Sequence, residues 1–395
     1  MTDLVVVGAG TMGAWTAWHA VRSGRATTLL DAYGAGHPRA TSGDETRVIR
    51  SSHAADELYT RWSREARTDW IALGKELGEA VFVEAGALWF ARREDGFEAA
   101  SEAALRAAGI PVERLTTDEI RARWPQVATD GLAFATYEPE AGVLMARRAV
   151  SMLARDVERR GGQFELAAVR PGRSEAGRLV DVVTADGRRF GGDDFVFACG
   201  PWLPRLFPDV LGDLIRVTKQ DVLFFGPPPG DVRFGADALP AWIDYDASYY
   251  GIPAIEGRGV KIAPDRYGPV FDASDGDRIV DAESVRLARR YAGLRFPALA
   301  NQPVVETRVC QYEMTPDTNF VIDRHPDLEN VWLVGGGSGH GFKHGPVIGR
   351  HVVGRIDGRA PSDGEERFGL RQPRTTSVGA RTGGDWIVSE WESAW

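Results

Sequence analysis

The chain has 395 residues, 43% hydrophobic and 26% charged, the proportions of a soluble globular protein. Because one core rarely serves so long a chain, we expect two domains. The formal net charge of −9 argues against nucleic acid as the main partner, since a phosphate backbone needs a basic face.

Two cysteines cannot build a disulfide framework or a closed thiolate zinc site, and this usage favours a cytoplasmic protein. We find no run of about 18 apolar residues and therefore expect no membrane span. The first residues, MTDLVVVGAG, lack the basic flank of a signal peptide, so we interpret them as part of the fold.

The N-terminal segment predicts a strand, a glycine-rich turn, a helix and a second strand. The first strand covers Leu4 to Val7, the glycine-rich turn GAGTMG covers residues 8–13, and the helix runs to about Ser23. The second strand ends at Asp31. This order of elements is the dinucleotide-binding pattern G-x-G-x-x-G followed by an acidic residue.

Each part of this pattern has a chemical reason. Gly8 permits the tight turn, Gly10 lets the backbone approach a pyrophosphate, and Gly13 lets the helix lie close to the strand. The free N–H groups at the helix N-terminus suit phosphates, and Asp31 can accept hydrogen bonds from ribose hydroxyls. NAD and FAD both remain open at this point.

Two later segments extend the same domain. Residues 179–200 predict a β-hairpin around Asp186-Gly187 and then a buried strand from Phe195 to Ala198. A strand from Val331 to Val334 leads into glycines and then a helix that contains Pro346. The C-terminal segment DWIVSEWESAW is expected to dock through its tryptophans.

The run GGGSGHGFKHGP, residues 335–346, is the second distinctive glycine cluster. A strand, glycines and a helix here create a second positive helix N-terminus, which can face the pyrimidine end of a flavin. Two such units, one near each end of the chain, favour FAD over NAD.

At this point the sequence resembles the monomeric sarcosine oxidase family of FAD-dependent amine oxidases, in the D-amino-acid-oxidase-like superfamily. The resemblance spans about residues 3 to 360. It rests on GAGTMG, GDETRVIR (43–50), EPEAGVL (138–144), SYYGIP (248–253), GVKIA (259–263), VCQY (309–312) and GSGHGFK (337–343).

The resemblance implies an α/β fold with two domains. One is a Rossmann-like FAD-binding domain of the glutathione-reductase type, expected from residues 1–85, 145–220 and 325–395. The other is an α+β substrate domain with a mixed or antiparallel sheet, expected from residues 86–144 and 221–324.

The resemblance also implies a set of cofactor contacts. They comprise Gly8, Gly10, Thr11, Met12, Gly13, Asp31, Thr46, Arg47, Val169, Gly200, Trp202, Cys310, Gly339, His340, Gly341, Phe342 and Lys343. Cys310 matches the cysteine that bonds to the 8α-carbon of the flavin, and Arg308, on the same face of a strand, could assist its thiolate. Cys199 is interpreted as a buried small hydrophobe.

The same matches imply substrate and catalytic residues. Arg47 matches the arginine over the flavin, and Arg50 and Lys343 match the two cations that hold the substrate carboxylate. Lys261 matches the lysine that promotes reoxidation by O2, since a fixed cation stabilises superoxide as it forms. Tyr250 matches a tyrosine of the substrate pocket.

Three positions depart from the sarcosine enzymes. Gly43 and Asp265 stand where those enzymes have histidines, and Glu313 stands where they have a threonine. Sarcosine itself is therefore in doubt, and a larger or more basic amine is plausible. Asp265 and Glu313 could bind a cationic group of such a substrate, or either could be an exposed strand-end acid.

The resulting hypothesis is a monomeric enzyme that oxidises a secondary (N-methyl or cyclic) or primary amino acid. The amine gives a hydride to FAD, water hydrolyses the imine, and O2 reoxidises the flavin and yields hydrogen peroxide. The alternatives are a dehydrogenase with another electron acceptor and a flavin-binding subunit without chemistry of its own.

Two further expectations concern metal ions and the tryptophans of the second domain. We find no H-x-x-x-H spacing accompanied by suitable acids, and we therefore expect no metal site. Trp89 and Trp242 could line an aromatic pocket, but core packing is the preferred interpretation for both.

Overall fold

The computed structural model describes residues 2–370, which form two large β-sheets with helices packed on them. The predicted docking of the C-terminal tryptophans falls on residues 371–395 and lies outside the described residues. Across the described part of the chain, none of the helices combines the length and the apolar character needed to cross a membrane.

The first sheet has six strands, and its core strands are apolar runs buried on both faces, as expected of a parallel sheet. All neighbouring pairs are parallel except the two strands nearest the C-terminus, which form a hairpin. In spatial order the strands are Val321–His325, Leu328–Gly335, Asp194–Phe197, Leu4–Val7, Thr27–Asp31 and Gln163–Leu166. The predicted Rossmann-like strands are therefore confirmed.

Four long helices accompany this sheet: Thr11–Arg22, Glu57–Leu77, Ala146–Arg159 and Gly345–Ile356. The helix Glu57–Leu77 begins where the Asp56 carboxylate accepts the Tyr59 N–H, and it ends at Gly78, which has a φ of +71°. Gly349 allows two helices to touch, because a Cβ there would lie 2.6 Å from the backbone carbon of Trp15.

The second sheet has eight strands and is antiparallel except between Ala241–Asp244 and Ala87–Ala91. In spatial order its strands are Val304–Met314, Arg216–Phe225, Val260–Pro264, Tyr249–Ile252, Ala241–Asp244, Ala87–Ala91, Phe134–Glu138 and Glu113–Leu115. The helix Ala282–Arg295 packs on it through buried Tyr291 and Ala292. The predicted second α+β unit with a mixed sheet is confirmed.

Smaller elements connect these units. The short strands are Thr46–Ile49, Gly142–Met145 and Phe82–Val83 in one sheet, Val169–Pro171, Asp181–Thr184 and Arg189–Gly191 in another, and the pair Ser174–Glu175 and Arg178–Leu179. The short α-helices are Phe97–Ala107, Thr117–Arg123, Leu203–Leu206 and Pro208–Leu211. The 3-10 turns are Gly200–Trp202, Val232–Phe234, Pro297–Leu299, Phe342–His344 and Glu365–Phe368.

The hairpin predicted around Asp186-Gly187 is present as the antiparallel pair Asp181–Thr184 and Arg189–Gly191. The division of the chain into domains stays a prediction, and three of its boundaries fall inside strands. The boundary at 144/145 lies within Gly142–Met145, the boundary at 220/221 within Arg216–Phe225, and the boundary at 324/325 within Val321–His325. Trp89 and Trp242 are both buried, which confirms that they pack in the core.

Candidate active site

A cavity of about 750 Å³ is lined by residues of both large sheets. Its lining includes Asp31, Val169, Trp202, Tyr250 and Lys343. Its volume is within the range of cofactor and ligand pockets. Of the residues predicted from the sequence, the cavity lining contains all except Gly13, Thr46 and Lys261.

The first glycine turn forms one wall of this cavity. Gly8 has a φ of +105°, and a Cβ there would lie 2.3 Å from the Ala198 carbonyl oxygen. A Cβ at Gly13 would lie 1.9 Å from the Gly8 carbonyl oxygen, so neither position has room for a side chain. A Cβ at Gly10 would meet only Ser42 Oγ, at 3.4 Å, so this position is less crowded.

The Asp31 carboxylate holds this turn against the end of the second strand. Its Oδ2 accepts the Ala9 N–H at 2.7 Å, and its Oδ1 accepts the N–H groups of Tyr33 and Gly34 at 2.8 Å. The side chain therefore organises the backbone at the edge of the cavity that it lines.

The second glycine segment lies against the first. Thr11 Oγ1 donates to the Phe342 carbonyl oxygen at 3.2 Å, and a Cβ at Gly341 would lie 3.0 Å from Met12 Cε. The cavity walls contributed by the two ends of the chain are thus joined directly. Gly339, His340, Phe342 and Lys343 all line the cavity from the second segment.

Arg47 is held at the cavity by a buried ion-pair network. Its Nη1 donates to Asp44 Oδ2 at 2.6 Å and to the Thr46 carbonyl oxygen at 2.9 Å, and its Nη2 donates to the Thr41 carbonyl oxygen at 2.6 Å. Burial opposes ionisation of Asp44, but Lys261 and Arg47 outweigh it and hold the pKa of this carboxyl well below its usual range.

Lys261 belongs to this network and is not among the residues that line the cavity, and its expected place beside the flavin stays a prediction. Its ammonium group donates to Asp44 Oδ2 and, at 2.9 Å, to the Thr46 carbonyl oxygen. The residue is 1% exposed. Burial lowers the pKa of Lys261 to about 8, although Asp44 acts in the opposite direction.

Cys310 lines the cavity with its sulfur 3.4 Å from Arg47 Nη2. The cation at this thiol is therefore Arg47 and not Arg308, the residue suggested from the sequence. Arg308 instead pairs with Glu306 at 2.5 Å and with Glu45 at 3.1 Å, because these acids lie beside its strand.

Cys199 also lines the cavity, but its thiol donates to the Val7 carbonyl oxygen at 3.3 Å. Burial raises the pKa of the Cys199 thiol well above its usual range. The two cysteines thus differ in their surroundings, since only Cys310 adjoins a guanidinium group among the described contacts.

Two buried cations and a tyrosine line the same cavity. Arg50 is 6% exposed and lies over the Trp89 ring at 5.0 Å, and Lys343 is 3% exposed and donates to the His340 carbonyl oxygen at 2.9 Å. Both line the cavity together with Tyr250. Two buried cations in the lining of one cavity favour an anionic group of a ligand.

Other predicted cofactor residues also line the cavity. They are Val169, Gly200 and Trp202, and Trp202 Nε1 donates to Ser274 Oγ at 2.9 Å. Thr46 contributes its carbonyl oxygen to the network behind Arg47 and does not line the cavity.

The three departures from the sarcosine enzymes have different structural reasons. A Cβ at Gly43 would lie 1.8 Å from the His37 carbonyl oxygen, so the local backbone leaves no room for a side chain. Asp265 lines the cavity and accepts the Tyr312 hydroxyl at 3.4 Å. Asp265 therefore remains a candidate for contact with a substrate.

Glu313 lies on the other face of its strand from Cys310 and Tyr312, since neighbouring side chains of a strand alternate. Its Oε2 accepts the Gly336 N–H at 3.2 Å, and a Cβ at Gly200 would lie 3.1 Å from its Oε1. Burial raises the pKa of Glu313 to about 7, although backbone N–H groups oppose the shift. The carboxyl group thus faces the glycines assigned to the cofactor, which counts against its predicted contact with the substrate.

Three histidines come together in the fold, and the expectation of no metal site stays a prediction. Within the described residues, ring nitrogens of His53, His340 and His344 lie within 4.8 Å of one another. The spacing His340-x-x-x-His344 is visible in the sequence, but the third histidine comes from a distant segment.

These features fit FAD. The glycine turn that leaves no room for side chains suits a pyrophosphate, and the cavity extends from there to the guanidinium group of Arg47 and the thiol of Cys310.

The Asp44 network generates a stability prediction. Asp44→Ala would leave Arg47 and Lys261 buried without their shared counter-charge, which should lower the free energy of unfolding by about 3–5 kcal/mol. Glu283→Ala removes the exposed Glu283–Arg286 pair, and its effect on the free energy of unfolding should be far smaller because solvent screens this pair. Urea unfolding of both variants measures the difference, and equal losses would contradict the role of Asp44.

The comparisons with known proteins agree with this geometry. Monomeric sarcosine oxidase from Bacillus sp. (strain B-0618) is 28% identical over 352 residues, covering 88% of this chain and 90% of that protein. N-methyl-L-tryptophan oxidase from Yersinia pestis (strain Pestoides F) is 26% identical over 353 residues, covering 88% and 92%.

Among solved structures, a modified fructosyl peptide oxidase from Aspergillus nidulans matches with a TM-score of 0.84 at 22% identity, covering 97% of this chain and 96% of that one. L-proline dehydrogenase from P. horikoshii matches with a TM-score of 0.82 at 21% identity, covering 93% and 96%. The sequence model of the family described as FAD dependent oxidoreductase (DAO) matches residues 3–355. The chain therefore belongs to the DAO family of FAD-dependent oxidoreductases.

Proposed function

We propose that this oxidoreductase oxidises the carbon–nitrogen bond of an amino acid that carries a secondary or primary amine, with O2 as the final oxidant. The observation that carries the proposal is the pair of buried cations, Arg50 and Lys343, that line the same cavity as Tyr250. A carboxylate between them would direct the rest of the substrate towards Arg47 and Cys310.

FAD, when bound, supplies the acceptor for two electrons and passes them to O2. The chain's own residues bind the cofactor and the substrate and orient them. The glycine turn at 8–13 would hold the pyrophosphate, and the second segment, residues 337–343, would contact the ring system. Arg47, fixed by Asp44, places a permanent positive charge at the cavity wall and stabilises negative charge that develops there.

Substrate selection is assigned to Asp265 together with Tyr312 and Tyr250. Asp265 accepts the Tyr312 hydroxyl, and all three residues line the cavity. A carboxylate at this position favours a substrate with a cationic or hydrogen-bond-donating group beyond its amine.

A panel of N-methyl, cyclic and fructosyl amino acids tests the activity. At least one member should bleach the flavin absorbance under anaerobic conditions and yield hydrogen peroxide in air. Bleaching without peroxide would indicate a different electron acceptor. If no member of the panel bleaches the flavin, the amine oxidation proposal fails.

The cation pair can be tested with matched substrates. Lys343→Met and Arg50→Gln should each lower kcat/KM for the active amino acid by roughly 10–100-fold, because each charge-assisted bond contributes roughly 1.5–3 kcal/mol. For the decarboxylated amine, kcat/KM should fall much less in the same variants. If both compounds lose activity in equal proportion, Arg50 and Lys343 do not bind the carboxylate.

We also assign Cys310 as the covalent attachment point of the cofactor. The sulfur of Cys310 lines the cavity and lies 3.4 Å from the guanidinium group of Arg47. After acid precipitation, the yellow colour should stay in the pellet for the unmodified protein and for Cys199→Ala. Cys310→Ala should release the colour into the supernatant. Release from the unmodified protein would refute the attachment.

Lys261 is assigned to the reaction with O2 through the network that it shares with Arg47. Lys261 and Arg47 against one Asp44 leave a net positive charge beside the cavity, and deprotonation of Lys261 removes it. The rate at which the reduced enzyme reacts with O2 should therefore fall as the pH rises through about 8.

Stopped-flow mixing of the reduced enzyme with O2 measures this rate. Lys261→Met should react slowly at every pH, whereas Lys219→Met, on the neighbouring strand, should keep the profile of the unmodified protein. An unchanged profile in Lys261→Met would exclude the assigned role.

A further inference from the structure

Three histidines from distant parts of the sequence meet behind the cation pair. His53 follows the strand Thr46–Ile49, His340 lies in the second glycine segment, and His344 ends the 3-10 turn Phe342–His344. Their ring centroids are 5.4–6.1 Å apart, and one ring nitrogen of each lies within 4.8 Å of the others.

Hydrogen bonds to backbone carbonyl groups determine the tautomers of two of these rings. His53 Nδ1 lies 3.0 Å from the Ser51 carbonyl oxygen, and His340 Nε2 lies 3.0 Å from the Thr318 carbonyl oxygen. A carbonyl oxygen only accepts, so these two nitrogens carry the protons. The lone pairs are consequently on His53 Nε2 and His340 Nδ1, an arrangement common among metal-ligating histidines.

The third ring supplies a second, independent observation. His344 is completely buried, and neither of its ring nitrogens has a hydrogen-bond partner among the described residues. His53 Nε2 is likewise buried without a partner in the described part of the chain. Unsatisfied buried polar atoms are costly, and a bound ion would accept the lone pair of His53 Nε2 and that of one His344 nitrogen.

The surroundings keep all three rings suitable as ligands. Tyr59 and Phe320 pack against His340 at centroid distances of 4.9 and 5.0 Å. Neutral imidazole is the form that binds metals, and the two backbone carbonyl groups leave the lone pairs of His53 and His340 on the nitrogens that face the cluster.

We propose that His53, His340 and His344 form a binding site for a transition metal ion of the class that prefers imidazole ligands, such as Zn²⁺. Three neutral nitrogen donors disfavour Mg²⁺ and Ca²⁺, which prefer oxygen. Because His340 also lines the large cavity, an ion can reach the cluster from that side.

An ion bound at these histidines would stabilise the structure around the two cations. His53 lies three residues beyond Arg50, and His340 and His344 flank Lys343, so the ion would cross-link the two segments that carry these cations. The positive charges of Arg50 and Lys343 weaken the binding of any cation. Lys343→Met should therefore increase the affinity for Zn²⁺ while the ligands stay intact.

The experiment uses the flavin-loaded protein after treatment with a chelator. Zn²⁺ is titrated in competition with a chromophoric indicator, and the zinc X-ray absorption spectrum identifies the ligands. One ion per chain is expected, with imidazole nitrogens at about 2.0–2.1 Å and no sulfur. This readout is independent of amine oxidation, so it stands whether or not the proposed activity is found.

His53→Phe and His344→Phe keep an aromatic ring in the core and should each lose at least about 10–100-fold in affinity. His351→Asn is the matched control, because His351 is equally buried but pairs with Glu365 elsewhere. It should bind Zn²⁺ as the unmodified protein does. Failure of the unmodified protein to bind Zn²⁺, a spectrum without imidazole, or equal binding by the folded cluster variants would overturn the proposal.

Discussion

Asp44 lies next to the strand Thr46–Ile49, and its carboxylate is shared by Arg47 of that strand and Lys261 of the eight-stranded sheet. One buried anion thus connects two sheets and fixes a guanidinium group in the cavity wall. Burying either cation alone would be costly, and the shared carboxylate makes burial of both tolerable. The position of Arg47, and with it the environment of Cys310, depends on this arrangement.

The cavity itself depends on close backbone approaches at glycines. Gly8 and Gly13 admit no side chain, and Gly341 lies against Met12. These contacts join the two glycine segments from opposite ends of the chain into one wall. Gly43 has the same cause, because the backbone of His37 occupies the place where a side chain would lie.

The two unusual carboxyl groups of the sequence have different positions in the fold. Asp265 faces the cavity beside Tyr312, where it can contact a ligand. Glu313 also lines the cavity, but its carboxyl group accepts the Gly336 N–H and lies against Gly200. The two acids belong to different segments of the chain, and only the tertiary structure determines which groups each carboxyl group contacts.

Local patterns and motif order were enough to predict the first glycine turn, the parallel strands around it, the hairpin at residues 181–191 and the family. The contact of Arg47, rather than Arg308, with Cys310 and the pairing of Lys261 with Asp44 became visible only in the folded structure. The fold also assembled His53 with His340 and His344. These contacts join residues more than 200 positions apart, and side-chain spacing along a chain carries no information about which distant segments meet.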